Sequence, residues 1–212
     1  MFYLQYLNPE NLLQKSQQLP QEQAKEIDTD YFIYCLEAVD DVETAKLTET
    51  QKKLEQLTIE YGVASIYNTC DTIEGLEASL HTLVLDDHQF KDYEIIYFVI
   101  TGEANSICLN DYNYSLQEIA EIFEGKLNGK ILHFSNAKVL DLDEEEAQYF
   151  LDITGAKAIS GYGRTFDGIS SAPLDMVFFH LFNEDDNMLE VVEELHQKHY
   201  KACKLLDFRM YY

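Results

Sequence analysis

The sequence predicts an α/β domain in which a central, mostly parallel sheet of about five or six strands lies between helices on both faces. Apolar stretches of strand length alternate along the chain with amphipathic helical stretches, which is the order typical of parallel sheets. The stretch 95–100 is apolar throughout, as expected for a strand that is covered on both faces. We predict a single domain over residues 30–212, preceded by an N-terminal arm over residues 1–29.

The first part of the domain contains two strands, each followed by a helix. Residues 30–37 are nearly all apolar and β-forming, and a helix over residues 44–61 ends at Gly62. Residues 63–68 form the second predicted strand. Asp71 and Glu74 have the spacing of a capping box, which predicts a further helix. Its inward residues are Ile73, Leu76, Leu80 and Leu83.

Two buried strands joined by a helix form the centre of the predicted sheet. The strands cover residues 93–102 and 130–137, and the helix begins with a capping box at Ser115 and Glu118 and continues until Gly129. A crossover helix makes the two strands parallel, so their carboxyl ends meet at the edge where α/β proteins bind ligands. Those ends are Thr101, Gly102 and Glu103 on the first strand and Ser135, Asn136 and Ala137 on the second.

The chain after Ala137 becomes acidic over residues 141–146 and then forms a helix that Gly155 ends. Carboxylates can bind Mg²⁺ or Ca²⁺, but their spacing matches no EF-hand loop, and the helix dipole favours acids in a first turn. We therefore predict no metal site there. Residues 157–160 form a further strand, followed by Gly161, Gly163 and Arg164. This pattern suggests a loop for an anion or a peptide, although a lone Gly-x-Gly is a weak signal.

The last part of the chain contains two helices and an edge strand. A helix over residues 172–182 is apolar nearly all round, with Ser170 or Ser171 as its cap and Pro173 in its first turn. Residues 188–200 form an amphipathic helix. Apolar and polar residues alternate over 203–211, which is typical of a half-exposed edge strand. We expect that strand to be a site for pairing with another copy, as in a homodimer.

The composition excludes several classes of partner. The chain has 39 acidic and 15 basic residues, a formal net charge of −24, so we expect no binding to nucleic acid or to anionic membranes. The acidity leaves three interpretations: attraction to a basic partner, mimicry of nucleic acid as a decoy or inhibitor, and a soluble acidic surface. We predict a cytoplasmic protein, because the sequence has no signal sequence and no apolar run long enough to cross a membrane. Its four cysteines are scattered, so we expect reduced thiols. We expect no cofactor.

The order of these elements resembles the caspase-like peptidase fold, a three-layer α/β fold, and in particular its bacterial CHAT-type branch. The resemblance spans about residues 30–182. In that family the first central strand ends in His-Gly and the second in the catalytic Cys. Here the matching positions are Thr101-Gly102 and Phe134-Ser-Asn-Ala137. Thr101 therefore stands where the family has its histidine, and Ala137 where it has its cysteine.

This difference predicts a protein without cysteine peptidase activity, because neither side chain can form a thiolate or act as a base near neutral pH. The resemblance then implies a peptide- or protein-binding module. Its candidate cleft residues are Gly102, Glu103, Ser135, Asn136, Gly161, Arg164 and Asp167. One alternative is a hydrolase with a different chemistry, which would use His133, Ser135 and nearby acids, since these two side chains share one face of the strand. The acidic decoy is the other alternative.

Overall fold

A computed structural model describes residues 32–42, 48–85, 93–166, 168–185 and 187–212. The predicted N-terminal arm lies outside these ranges. None of the described helices is long and apolar enough to cross a membrane.

The main sheet has the strand order β2-β1-β3-β7-β8-β9 in the described part of the chain. All pairs in this order are parallel except β8 with β9, which is antiparallel. The prediction of a mostly parallel sheet of about five or six strands is therefore confirmed. The strands are β1 (Phe32–Ala38), β2 (Ala64–Cys70), β3 (Tyr93–Val99), β4 (Gly102–Glu103), β5 (Ser106–Leu109), β6 (Tyr112–Ser115), β7 (Ile131–Lys138), β8 (Ala158–Tyr162) and β9 (Phe208–Tyr211).

Helices cover both faces of this sheet, as predicted. The helices are α1 (Glu49–Tyr61), α2 (Ile73–Leu85), α3 (Leu116–Ile122), α4 (Glu144–Thr154), α5 (Ala172–Glu184) and α6 (Met188–Leu206). One apolar core joins the sheet to α2, α3 and α4, and a second joins the opposite face to α1, α5 and α6. Alternate residues of β3 belong to opposite cores, Ile96 to the first and Tyr97 to the second, which explains why this strand is apolar on both sides.

Local signals placed several helix ends correctly. Gly62 and Gly155 end α1 and α4 in the left-handed conformation, and Ser115 and Glu118 form the predicted capping box of α3. The predicted capping box of α2 at Asp71 and Glu74 was wrong. The Gly75 amide donates to Thr72 Oγ1 at 3.1 Å, so Thr72 rather than Asp71 caps the helix.

Helix α3 is shorter than predicted, because its apolar spacing continues beyond the point where the helix stops. The chain turns after Phe123, and the amides of Gly125 and Gly129 donate to the carbonyls of Ile153 and Gly155. The segment after α3 therefore satisfies the last carbonyls of α4 instead of extending its own helix.

Strands β4, β5 and β6 form a meander (residues 102–115) that no sequence pattern predicted. Two tight turns connect its strands, and the non-glycine residues Ala104, Asn105, Asn110 and Asp111 have positive φ in them. The meander joins the main sheet where Glu103 pairs with Lys138 at the end of β7. It therefore extends from the carboxyl end of β7 over the edge where the candidate residues were predicted.

Three boundaries near the C-terminus differ from the prediction. Gly161 lies inside β8, opposite Arg209, rather than in a loop. Helix α6 continues to Leu206 through a non-helical residue at His199, so the edge strand starts at Phe208 and not at residue 203. β9 pairs only with β8 among the described strands, so its position at the sheet edge agrees with the prediction.

Candidate functional site

The ends of β3 and β7, which hold the two positions compared with the peptidase dyad in the sequence, lie side by side. β3 and β7 pair up to Val99 and Ser135, and β4 and β7 pair again at Glu103 and Lys138. Thr101 and Ala137 fall between these two pairs, on neighbouring segments. β7 also bulges against β8 here, because its residues 134–137 lie opposite the single residue Gly161 of β8. Bulges of this kind often redirect a strand next to a functional site.

A cavity of about 480 Å³ lies at the carboxyl ends of β1 and β3. The strand order reverses between these two strands, since β2 lies on one side of β1 and β7 on the far side of β3. Open α/β sheets bind ligands at such a reversal. The meander closes the cavity on one side through residues 108–111, and Thr101, which is exposed, lines it as well. The predicted site residue Thr101 is thus part of a real cavity.

The cavity lining is acidic. Its carboxylates include Asp40, Asp71 and Asp111, and none of these is in an ion pair with a described cation. Glu37 also lines the cavity, but its carboxylate accepts hydrogen bonds from Thr48 Oγ1 and Tyr67 OH, both at 2.7 Å. No lysine, arginine or histidine is among the described lining residues. The cavity is therefore suited to a cationic group.

One thiol faces this cavity. Cys108 is partly exposed and lines it, whereas Cys35, Cys70 and Cys203 are buried. Burial, followed by the charge of Asp71, raises the pKa of the Cys70 thiol to about 12. The Cys108 amide donates to the Thr101 carbonyl at 2.7 Å, which fixes the backbone of Cys108 beside Thr101. No histidine is among the described residues that line the cavity with it.

The other predicted cleft residues do not gather at one place. A Cβ on Gly102 would lie 2.0 Å from the Ser106 carbonyl oxygen, so this glycine permits close packing of the meander. Glu103 is exposed. Gly161 is buried, and a Cβ there would lie 2.9 Å from the Phe134 carbonyl, so its role as a cleft residue is corrected to a packing role. Arg164 is exposed, 4.0 Å from Asp207, and Asp167 lies outside the described residues.

His133 and Ser135 lie on the same face of β7, as predicted, but this face is fully buried. Both residues have no exposed surface. The Nε2 atom of His133 donates to Asp175 Oδ1 at 2.9 Å, and its Nδ1 atom lies 2.9 Å from Ser160 Oγ. Ser135 Oγ donates to the other oxygen of Asp175. Both ring nitrogens of His133 are therefore engaged by residues other than Ser135.

The carboxylate of Asp175 is the centre of this buried polar cluster. It also accepts hydrogen bonds from Tyr97 OH, at 2.7 Å, and from Tyr162 OH. Burial acts to raise the pKa of Asp175, but the hydrogen bonds and charge of His133, with the hydroxyls of Ser135 and Tyr162, lower it below its usual value. The buried carboxylate is thus held in its ionised form.

Sequence analysis did not single out Asp175. The available signal was a single carboxylate in the first turn of a helix that is otherwise apolar nearly all round. A buried carboxylate requires donors, and here all but the nearby Ser171 hydroxyl come from β3, β7 and β8. Within the described ranges, no group of three or more His, Cys, Asp or Glu residues could hold a metal ion.

The lowered pKa of Asp175 predicts acid sensitivity. An unfolded aspartate titrates at about pH 3.9, so the stabilisation from this carboxylate is complete above that pH and is lost as the pH falls through the lower folded pKa. We expect the midpoint of urea unfolding to fall less steeply below about pH 4 in Asp175→Asn than in the parent chain. Equal acid-side slopes for the two chains would contradict this assignment.

Comparison with known proteins gives a fold likeness and a family. The structure is similar to the crystal structure of the Drosophila initiator caspase Dronc, with a TM-score of 0.47 and 11% sequence identity, covering 79% of this chain and 71% of that chain. None of the curated proteins matches the sequence. A profile described as a family of unknown function matches residues 30–212, and the chain therefore belongs to the family DUF6642.

Proposed function

We propose that this chain is a caspase-like module without peptidase activity, which binds a basic segment of a partner protein at the carboxyl edge of its sheet. The observation that carries the proposal is the acidic cavity at the ends of β1 and β3. Its volume, about 480 Å³, is within the range of ligand pockets and can receive the side chain of an arginine or a lysine.

The residues at the strand ends support the absence of peptidase chemistry. Thr101 and Ala137 stand on neighbouring segments, where the resemblance puts the histidine and the cysteine. The alternative hydrolase is less well supported, because His133, Ser135 and Asp175 are fully buried and a substrate would have to displace α5 to reach them.

The charges support a basic partner. Asp40, Asp71 and Asp111 face the same cavity without a described cation as partner. The formal net charge of −24 also attracts cationic partners over distance, and this attraction weakens as salt screens it.

Removal of cavity carboxylates is expected to weaken the binding of a basic peptide. The probe is a fluorescein-labelled peptide of alternating Arg and Gly, and its binding is measured by fluorescence anisotropy. For the double variant Asp71→Asn/Asp111→Asn we expect a Kd at least about tenfold higher, equivalent to about 1.4 kcal/mol. A second readout is alkylation of the Cys108 thiol, which the bound peptide should slow.

A matched control separates the cavity from the net charge. The double variant Glu55→Gln/Asp152→Asn removes two exposed helical carboxylates, so both double variants change the formal charge from −24 to −22. The control should bind the peptide as the parent does. An equal loss of affinity in both variants, or no protection of Cys108, would reject the cavity as the binding site. Hydrolysis of the peptide that Cys108→Ser abolishes would reject the absence of peptidase activity.

We also propose that two copies pair through the open edge of β9. This strand pairs only with β8 among the described strands, and its edge can accept a further strand. Sedimentation equilibrium should show a dimer that Met210→Pro abolishes, because proline removes a backbone donor from the edge. A parent chain that stays monomeric at high protein concentration contradicts this pairing.

A further inference from the structure

The cavity depends on the meander, and the meander is attached to the chain just beyond the end of β7. Glu103 pairs with Lys138, and the Asn105 side chain exchanges two hydrogen bonds with the backbone of Asp141, at 2.7 and 3.2 Å. Gly102 packs against Val139. The position of residues 136–141 therefore sets the position of the wall formed by residues 108–111.

The end of β7 is in turn connected to the start of α5 by two buried hydroxyls. Ser135 Oγ and Ser171 Oγ lie 2.8 Å apart, and Ser135 also donates to Asp175. Ser171 stands at the N-cap of α5 but makes no side-chain capping bond, and Ser170 Oγ accepts from the Ala172 amide instead. The Ser171 hydroxyl therefore contacts β7 through Ser135, and it also lies 3.5 Å from Asp175 Oδ2 in the first turn of α5.

The whole polar cluster crosses three central strands. Tyr97, His133 and Ser160 are register partners on β3, β7 and β8. Ser135 lies two residues further along β7, towards its carboxyl end. Well-packed apolar residues of similar volume often replace a buried charged cluster without loss of stability, so stability alone does not explain this cluster. Conformational specificity is another explanation.

We propose that the Ser135–Ser171 link is a positioning device for the cavity: it fixes the end of β7 against α5, and thereby holds the meander in the conformation that binds the ligand. Neither serine lines the cavity, so both are positioning residues. The effect on affinity rests on the proposed function, whereas the effect on the meander can be measured without any ligand.

The test compares two serines of the same cluster. Ser135→Ala removes the link at the end of β7, and Ser160→Ala removes a buried hydroxyl that contacts His133 Nδ1 at 2.9 Å, one strand away from the link. Both variants should lower the urea midpoint. Hydrogen exchange of amides 102–111 should become about tenfold faster in Ser135→Ala and stay unchanged in Ser160→Ala, because opening the meander is a local event.

Variants of Ser171 keep the test informative if Ser135→Ala does not fold. Ser171→Ala should also make exchange over residues 102–111 faster, but less than Ser135→Ala does, because Ser135 Oγ still donates to Asp175 of α5. Ser171→Thr, which keeps the hydroxyl, should restore the parent rate. In the peptide assay, Ser171→Ala should raise the Kd and Ser171→Thr should not.

Two results would overturn the inference. Unchanged exchange of amides 102–111 in both Ser135→Ala and Ser171→Ala would show that the link does not hold the meander. Faster exchange throughout the chain, to the same degree in Ser160→Ala, would show a general loss of stability. If the basic peptide does not bind the parent chain, the proposed function fails, but the exchange comparison still decides the role of the link.

Discussion

Asp175→Ala is expected to lower the free energy of unfolding by about 3–5 kcal/mol, because it removes the carboxylate that accepts the hydrogen bonds of a buried polar cluster. The change leaves His133 Nε2 and the hydroxyls of Tyr97 and Tyr162 without their acceptor, in an interior that is closed to water. Domains are usually stable by about 5–15 kcal/mol, so much of the total would be lost. Urea unfolding followed by circular dichroism measures the change.

The control for this variant is Asp152→Ala, which removes an exposed carboxylate from α4. It should leave the urea midpoint nearly unchanged, because this carboxylate is exposed and accepts only a surface hydrogen bond from Gln148 Nε2. The stability of Asp175→Asn should lie between those of Asp175→Ala and the parent chain. The amide keeps an acceptor, but it introduces N–H donors into a site built of donors. A loss of less than about 1 kcal/mol in Asp175→Ala would mean that the cluster is not tightly packed around the carboxylate.

The sheet and most of the helices could be predicted because their causes are local. A strand buried on both faces must be apolar throughout, as β3 is, and a helix end leaves its mark in a capping side chain or a glycine, as at Ser115, Gly62 and Gly155. The parallel topology follows from the order of such elements, and so does the placement of positions 101 and 137 on neighbouring segments.

The cavity wall and the buried cluster could not be predicted because their causes are not local. The strands of the meander are two to four residues long, which is too short to show a periodicity above that of a loop. Asp175 is separated from its donors on β3, β7 and β8 by 13 to 78 residues. The sequence also does not show that Gly161 is opposed by a bulge of β7, and this opposition makes it a buried strand residue instead of a loop residue.

Gly102→Ala is the second change with a large expected effect. A Cβ at this position would lie 2.0 Å from the Ser106 carbonyl oxygen, 2.7 Å from Val139 Cγ1 and 3.0 Å from Ile107 Cα. Two of these three atoms belong to backbone, which cannot rotate away as a side chain can. We therefore expect β4 and β5 to separate, with a loss of about 2–3 kcal/mol, as for an overpacked core.

The separation should also be visible at the cavity, because the meander forms one of its walls. The bond from the Cys108 amide to the Thr101 carbonyl would be lost, so alkylation of Cys108 should become faster and the Arg-Gly peptide should no longer slow it.

Gly75→Ala is the matched control: it makes the same chemical change within α2, where the nearest atom is Thr72 Oγ1 at 3.3 Å. Alanine is favoured over glycine in a helix by about 1 kcal/mol, so this control should be as stable as the parent or more so. A Gly102→Ala chain with the parent's stability and Cys108 reactivity would mean that the meander can move away from Val139 without opening the cavity, and would remove the meander from the binding site.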